Sequence, residues 1–277
     1  MSIRVLIAVI VLNTGVCFSQ HLSLQWETDS LFLKPESALY DSVNKVIYVS
    51  NINGNYLAKD GNGFITKLKL DGGIEELKWC SGLDNPQGMG LFHGKLYVAD
   101  IDRVLKINVS DARIEKEYKI EGAQFLNDIA ADGNGDIYVS DCRKNKIYRI
   151  SNDKVELWTD DPVLSGPNGL LCTDNTLFIL NMERGSVLMG DKTSKRLTLF
   201  CENIRNCDGI VSDGNGGFFI SGAWQGQVFH LSAGGEKRLV LDLGEKKTIT
   251  ADIDYIAEHK LLIIPTLNKT VLAYKWE

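Results

Sequence analysis

Histidine and proline are both scarce in this sequence of 277 residues, which has four of the first and five of the second. The histidines, His21, His93, His230 and His259, fall in the N-terminal segment, in hairpins or in an outer strand. No Cys-x-x-Cys pair accompanies them, so a zinc site has no ligand pattern to rest on. A G-x-S-x-G elbow is also lacking, which removes the sequence signature of a serine hydrolase. Basic charge is not in excess, because 30 Lys and Arg stand against 36 Asp and Glu. This acidic balance argues against nucleic acid and anionic membrane as partners.

The first residues hold a single positive charge at Arg4, an apolar run from Val5 to Leu12 and a small or polar stretch from Asn13 to Ser19. That order reads as a secretory leader over residues 1–19, cleaved after Ser19, with Cys17 and Ser19 at the two positions that must be small. The apolar run is too short for a membrane span, which needs about 20 residues. A lipoprotein alternative with Cys17 acylated has a poor motif in Thr14, Gly15 and Val16. Residues 20–277 are expected to form one globular domain, secreted to the periplasm or outside the cell. Loss of Arg4 from the 30 basic residues leaves 29 against 36 acidic ones, a net charge near −7. Five cysteines remain, of which Cys201 and Cys207 are close enough in sequence to bridge in an oxidising compartment. Buried free thiols serve equally well as small core residues.

The same short apolar motif recurs six times: Ile47-Tyr48-Val49, Leu96-Tyr97-Val98, Ile137-Tyr138-Val139, Leu177-Phe178-Ile179, Phe218-Phe219-Ile220 and Leu262-Ile263-Ile264. Their last residues lie 49, 41, 40, 41 and 44 apart. Each motif is followed by a second alternating run, as in Lys146 to Ser151, and in most repeats by a third, as in Lys154 to Trp158. A further strand precedes each motif across a hairpin such as Asp132-Gly133-Asn134-Gly135, whose Asn-Gly and Asp-Gly steps supply positive φ. Four short strands repeated six times with no helical stretch between them predict an all-β, six-bladed β-propeller. The sixth repeat ends one strand short at Glu277. Leu22 to Asp29 parallels Val155 to Asp160, the outermost strand of another blade, so the N-terminal strand is expected to close the last blade.

At a nearly fixed distance before each motif stands a polar residue where the innermost strand begins. Glu36, Gln87, Asn127, Asn168, Asp208 and Asp252 lie 13, 11, 12, 11, 12 and 12 residues before the ends of their motifs. Three carboxylates and three amides are thus predicted to ring one end of a central channel, with Asp128 as a possible fourth acid. Carboxylates crowded in a poorly solvated channel repel unless a proton or a cation compensates them. With oxygen ligands only, a hard ion is favoured, Ca²⁺ first, with Mg²⁺ or Mn²⁺ as alternatives. The same ring could equally hold ordered water alone.

These residues resemble the senescence marker protein, gluconolactonase and luciferin-regenerating enzyme family, six-bladed propellers that include divalent-metal lactone hydrolases. The likeness covers nearly the whole expected mature chain. It rests on Phe125-Leu126-Asn127-Asp128 with Asp132-Gly133-Asn134-Gly135, on Gly166-Pro167-Asn168-Gly169-Leu170, and on Asp208-Gly209-Ile210 with Asp213-Gly214-Asn215-Gly216. The resemblance implies Glu36, Asn168 and Asp208 as metal ligands, with Asn127 lining the substrate side. Two departures stand out. The family's Glu-Gly-Pro is Glu36-Ser37-Ala38 here, and its substrate-binding Arg is Phe125, which implies a more apolar mouth.

A metal-dependent hydrolase of lactones or related esters follows, with Asp208 both ligand and proton acceptor. Gln87, Asn127, Asp128 and Phe125 are the expected substrate wall. The expected partner is a small molecule, a lactone or sugar derivative, taken by a monomer. The rival reading is a non-catalytic propeller whose ion is structural and whose face, with Trp224 and Phe125, binds a ligand or protein. A metal-free scaffold is the third.

Overall fold

A strand with apolar side chains at successive positions has to bury both of its faces. The six apolar motifs do so in the computed structural model, which describes residues 21–277. The expected leader, its cleavage site and Cys17 lie outside the described residues. Each motif strand is the second of a four-stranded antiparallel sheet, and six such sheets make up the fold. In Val46–Asn51 every residue is buried. Ile47 and Val49 pack with Ile263 and Ala273 of the last blade, while Val46 and Tyr48 pack with Leu96 and Val98 of the second. Alternate residues of one strand therefore glue a blade to its two neighbours. The outermost strands, such as Ile114–Lys119 and Lys237–Asp242, are largely exposed, as their polar composition requires.

The innermost strands are Pro35–Asp41, Pro86–Phe92, Leu126–Ala131, Pro167–Cys172, Cys207–Ser212 and Asp254–Ile256. In the first five the register shifts at one place, between Pro35 and Ala38 in the first blade, and equivalently at Pro86/Met89, Leu126/Ile129, Pro167/Leu170 and Cys207/Ile210. Each shift is a β-bulge, which re-aims the extra residue's side chain. The residues inside the bulges include Glu36, Gln87, Asn127, Asn168 and Asp208, five of the six predicted channel positions.

The sixth position is corrected by the register. In the other blades the residue two beyond the ring residue faces the last residue of the motif, as Ala38 faces Val49 and Ile129 faces Val139. In the last blade Asp254 faces Ile263, which sets Ile253 opposite Ile264 and makes Ala251 the ring residue. Counting twelve back stops one residue short because the 3-10 turn Ala257–His259 lengthens this hairpin. Asp252 belongs one layer deeper.

No disulfide joins Cys201 to Cys207, and the five described cysteines are free thiols. Among the described residues no helix is long and apolar enough to cross a membrane.

The ring closes as expected. Leu22–Glu27 pairs antiparallel with Val271–Trp276 and becomes the outer strand of the last blade. Trp26 anchors it, donating Nε1–H to the Leu70 carbonyl of the first blade at 3.0 Å. Losing a strand and its anchor should cost several kcal/mol, and each kcal/mol shifts the melting point of a chain this size by about 2–4 °C. Deletion of residues 21–30 is expected to lower the melting temperature by about 10 °C or more, and an unchanged melt would contradict this closure.

Candidate metal and substrate site at the channel mouth

Each bulge leaves backbone N–H groups outside the sheet ladder, and the sequence supplies acceptors for them. A serine directly after the motif does this in alternate blades: Ser50, Ser140 and Ser221 accept from the N–H groups of Ser37, Asp128 and Gly209 at 2.9, 2.9 and 2.8 Å. The next residue holds the chain as it enters the blade. Asn51 accepts from Leu33 N at 3.0 Å, Asn181 from Ser165 N at 3.1 Å, and Asp141 from both Gln124 N (2.9 Å) and Phe125 N (3.2 Å). These buried side chains fix where the ring residues begin.

A cavity of about 680 Å³ opens above the ring. Glu36, Gln87, Asn127, Asn168 and Asp208 all line it, and Phe125 stands at its rim. Glu36, Asn127, Asn168 and Asp208 are buried at 4, 6, 3 and 4% exposure, so their polar atoms depend on one another or on a bound group. Glu36 Oε2 and Asn168 Oδ1 are buried without a hydrogen-bond partner. Asn168 gives its amide nitrogen to Met182 Sδ at 3.3 Å, which leaves the carbonyl oxygen free to accept.

Burial, and then the nearby charges of Asp208, Asp252 and Asp128, push the Glu36 carboxyl well above its usual range. Burial raises Asp208 to about 7, against the lowering effect of the neighbouring Asn168 amide as a donor. Two carboxylates and an amide oxygen with orphaned acceptors are a donor set for a hard cation, so the residues present fit such an ion. Among the described residues no three His, Cys, Asp or Glu side chains form a metal cluster by themselves, and here the third donor is the amide of Asn168.

Asp128, expected beside Asn127 on the substrate side, faces elsewhere. Its carboxylate accepts from Ile129 N at 2.7 Å and from Leu170 N of the next blade at 2.6 Å. With Asp252 it lines a separate cavity of about 80 Å³ deeper in the channel. Asp252 takes a 2.6 Å hydrogen bond from Ser37 Oγ. These two aspartates tie blades together at a layer where three other blades carry Gly88, Gly169 and Gly209 and the first carries Ser37. A Cβ on Gly88 would run into Asp128 Oδ1, and one on Gly209 would sit 2.5 Å from Asp252 Oδ1.

The rim was less legible than the ring. Three residues past the motif ends stand Cys142, Met182 and Leu267, and four past stand Arg143, Glu183 and Trp224. All six line the cavity. Tyr56 completes the wall from a longer loop. The fixed offset from each motif was the available signal, but residue types at these positions differ from blade to blade. Trp224 lies on the short turn Ala223–Gln225 with its ring 55% exposed at the mouth, not in an outer strand. The histidines take no part: His230, for example, binds Asp213 at 2.8 Å and stacks on Trp276.

Six four-stranded blades around a channel with polar residues at its mouth define a six-bladed β-propeller. No family model matches the chain, and no curated protein matches it either. Solved structures do. A gluconolactonase from Xanthomonas campestris shares 13% identity with a TM-score of 0.72, over 93% of this chain and 90% of that one. Virginiamycin B lyase from Staphylococcus aureus, in an inactive form with quinupristin, shares 12% with a TM-score of 0.68, over 93% of this chain and 99% of that one. A streptogramin B lyase shares 11% with a TM-score of 0.69, over 93% and 98%. At these identities the likeness is one of fold.

A carboxyl group that binds its proton more tightly when folded destabilises the fold as it ionises. Burial raises the pKa values of Glu36, Asp128, Asp208 and Asp252, so their contribution is lost as pH rises above the ordinary carboxylate range, through about 7 for Asp128 and Asp208. In chelator the melting temperature should fall across this window, and millimolar Ca²⁺ should flatten the fall. A melt in which calcium changes nothing at any pH would contradict the ligand assignment.

Proposed function

We propose that the protein is a metal-dependent hydrolase of lactones or related carboxylic esters. The observation that carries this reading is the pair of orphaned acceptors, Glu36 Oε2 and Asn168 Oδ1, beside a buried Asp208 at the floor of a cavity large enough for a small ligand. Glu36, Asn168 and Asp208 would hold the ion, Ca²⁺ by preference. When bound, a divalent cation supplies a Lewis acid for the ester carbonyl and makes water more acidic. The fold shared with a gluconolactonase is compatible with this chemistry.

The remaining work falls to side chains of this chain. Asp208, buried on the cavity floor, would accept a proton from the attacking water. Asn127 offers an amide N–H₂ to a carbonyl or hydroxyl of the substrate. Phe125, Met182 and Trp224 present apolar surface at the rim, against which an apolar part of the substrate could pack. The apolar rim favours an aliphatic or aromatic lactone over a polyhydroxylated one.

Calcium-loaded protein assayed against a panel of aldonolactones and aliphatic lactones should hydrolyse at least one, with the aliphatic members faster. Asp208→Asn should lower kcat by at least about 100-fold, the usual weight of a positioned general base. Metal-loaded protein without turnover on any member would sink the hydrolase reading and leave a binding propeller.

A further inference from the structure

Arg143 stands out among the rim residues because its charge is unspent. Its guanidinium lies over the Phe125 ring, 5.4 Å from the centroid, and among the described residues it forms no ion pair. The two residues are set together by one carboxylate: Asp141 Oδ1 accepts from the backbone N–H of Phe125 at 3.2 Å and of Arg143 at 3.2 Å. Asp141 is fully buried, so this clamp is part of the scaffold. A guanidinium held against a ring face spends none of its N–H donors on that contact and can offer them in pairs to a carboxylate.

The charge around it has the same sense. Met182 and Glu183 line both the mouth and a second cavity of about 340 Å³ beside it. That cavity is lined by Arg184 and Arg205, which likewise form no ion pair among the described residues. Glu183 is the opposing charge at this rim, and it accepts a hydrogen bond from Ser165 Oγ at 2.9 Å. A divalent cation on Glu36 and Asp208 would balance those two, leaving three guanidinium groups against one carboxylate.

We propose that Arg143 is a specificity-determining residue that selects an amphipathic ester or lactone bearing a carboxylate. The apolar body would lie on Phe125, Met182 and Trp224, and the carboxylate would meet the guanidinium. This rests on the hydrolase reading for the word ester, but the recognition itself does not need turnover. It is therefore tested by binding.

The probes are 4-phenylbutyrate and its neutral amide, titrated calorimetrically into the calcium-loaded full-length protein at low salt. The carboxylate should bind about tenfold more tightly, the weight of one charge-assisted hydrogen-bonded contact. Arg143→Gln should abolish that preference while leaving the amide's affinity unchanged. Arg196→Gln, an exposed arginine away from the mouth, should leave the preference intact. Equal binding of the two probes, or a preference that survives Arg143→Gln because the acid binds the ion directly, would overturn the proposal. A preference lost with Arg143 in a protein that hydrolyses no ester would support it and end the hydrolase reading alone.

Discussion

Glu36 and Asp208 share a confined channel in which neither carboxylate has enough hydrogen-bond donors to be comfortable as an anion. Burial makes ionisation costly, and each charge adds to the cost of the other. A protein tolerates such a cluster only where a rigid surround holds it, or where a cation removes the repulsion. Here the surround is the ring of blades. Each of the first five blades places its own polar residue by a bulge at the same point of its innermost strand, and in three of them a bulge N–H is tied down by Ser50, Ser140 or Ser221. The scaffold thereby gathers side chains from distant parts of the sequence without any α-helix among the described residues.

The two layers of the channel divide the work. At the mouth, acceptors are left open, as the orphaned oxygens of Glu36 and Asn168 show. One layer deeper, Asp128 and Asp252 spend theirs on Leu170 N and Ser37 Oγ, linking adjacent blades. The difference between a structural and a functional carboxylate is thus visible in its partners. Asp128 sits directly after Asn127 in sequence, yet successive residues of a strand face opposite ways, and its side chain becomes a strut.

Much of this was legible in the sequence because a propeller writes its fold as repetition. Six buried motifs, hairpin glycines and a missing final strand sufficed to predict the blades and their closure. The ring at Glu36, Gln87, Asn127, Asn168 and Asp208 followed from constant spacing. Spacing failed at Asp252, where a longer hairpin changed the count and a one-residue slip exchanged one face of the strand for the other. At the rim it marked positions but not chemistry. Cys142, Arg143, Met182 and Trp224 lie on turns whose position is repeated but whose chemistry is not, and their convergence depends on loop geometry that no periodicity encodes. Asp141 binds the backbones of both Arg143 and Phe125 and so sets the two side chains together.

The central claim is that Glu36, Asn168 and Asp208 form a cation site. Calorimetric titration of Ca²⁺ into chelator-treated protein tests it most directly. The account predicts one ion bound per chain, with affinity reduced by about 100-fold or more in Glu36→Gln, since calcium affinity follows the number of charged ligands. Failure of the wild-type protein to bind any divalent ion, or equal binding by Glu36→Gln, would contradict it.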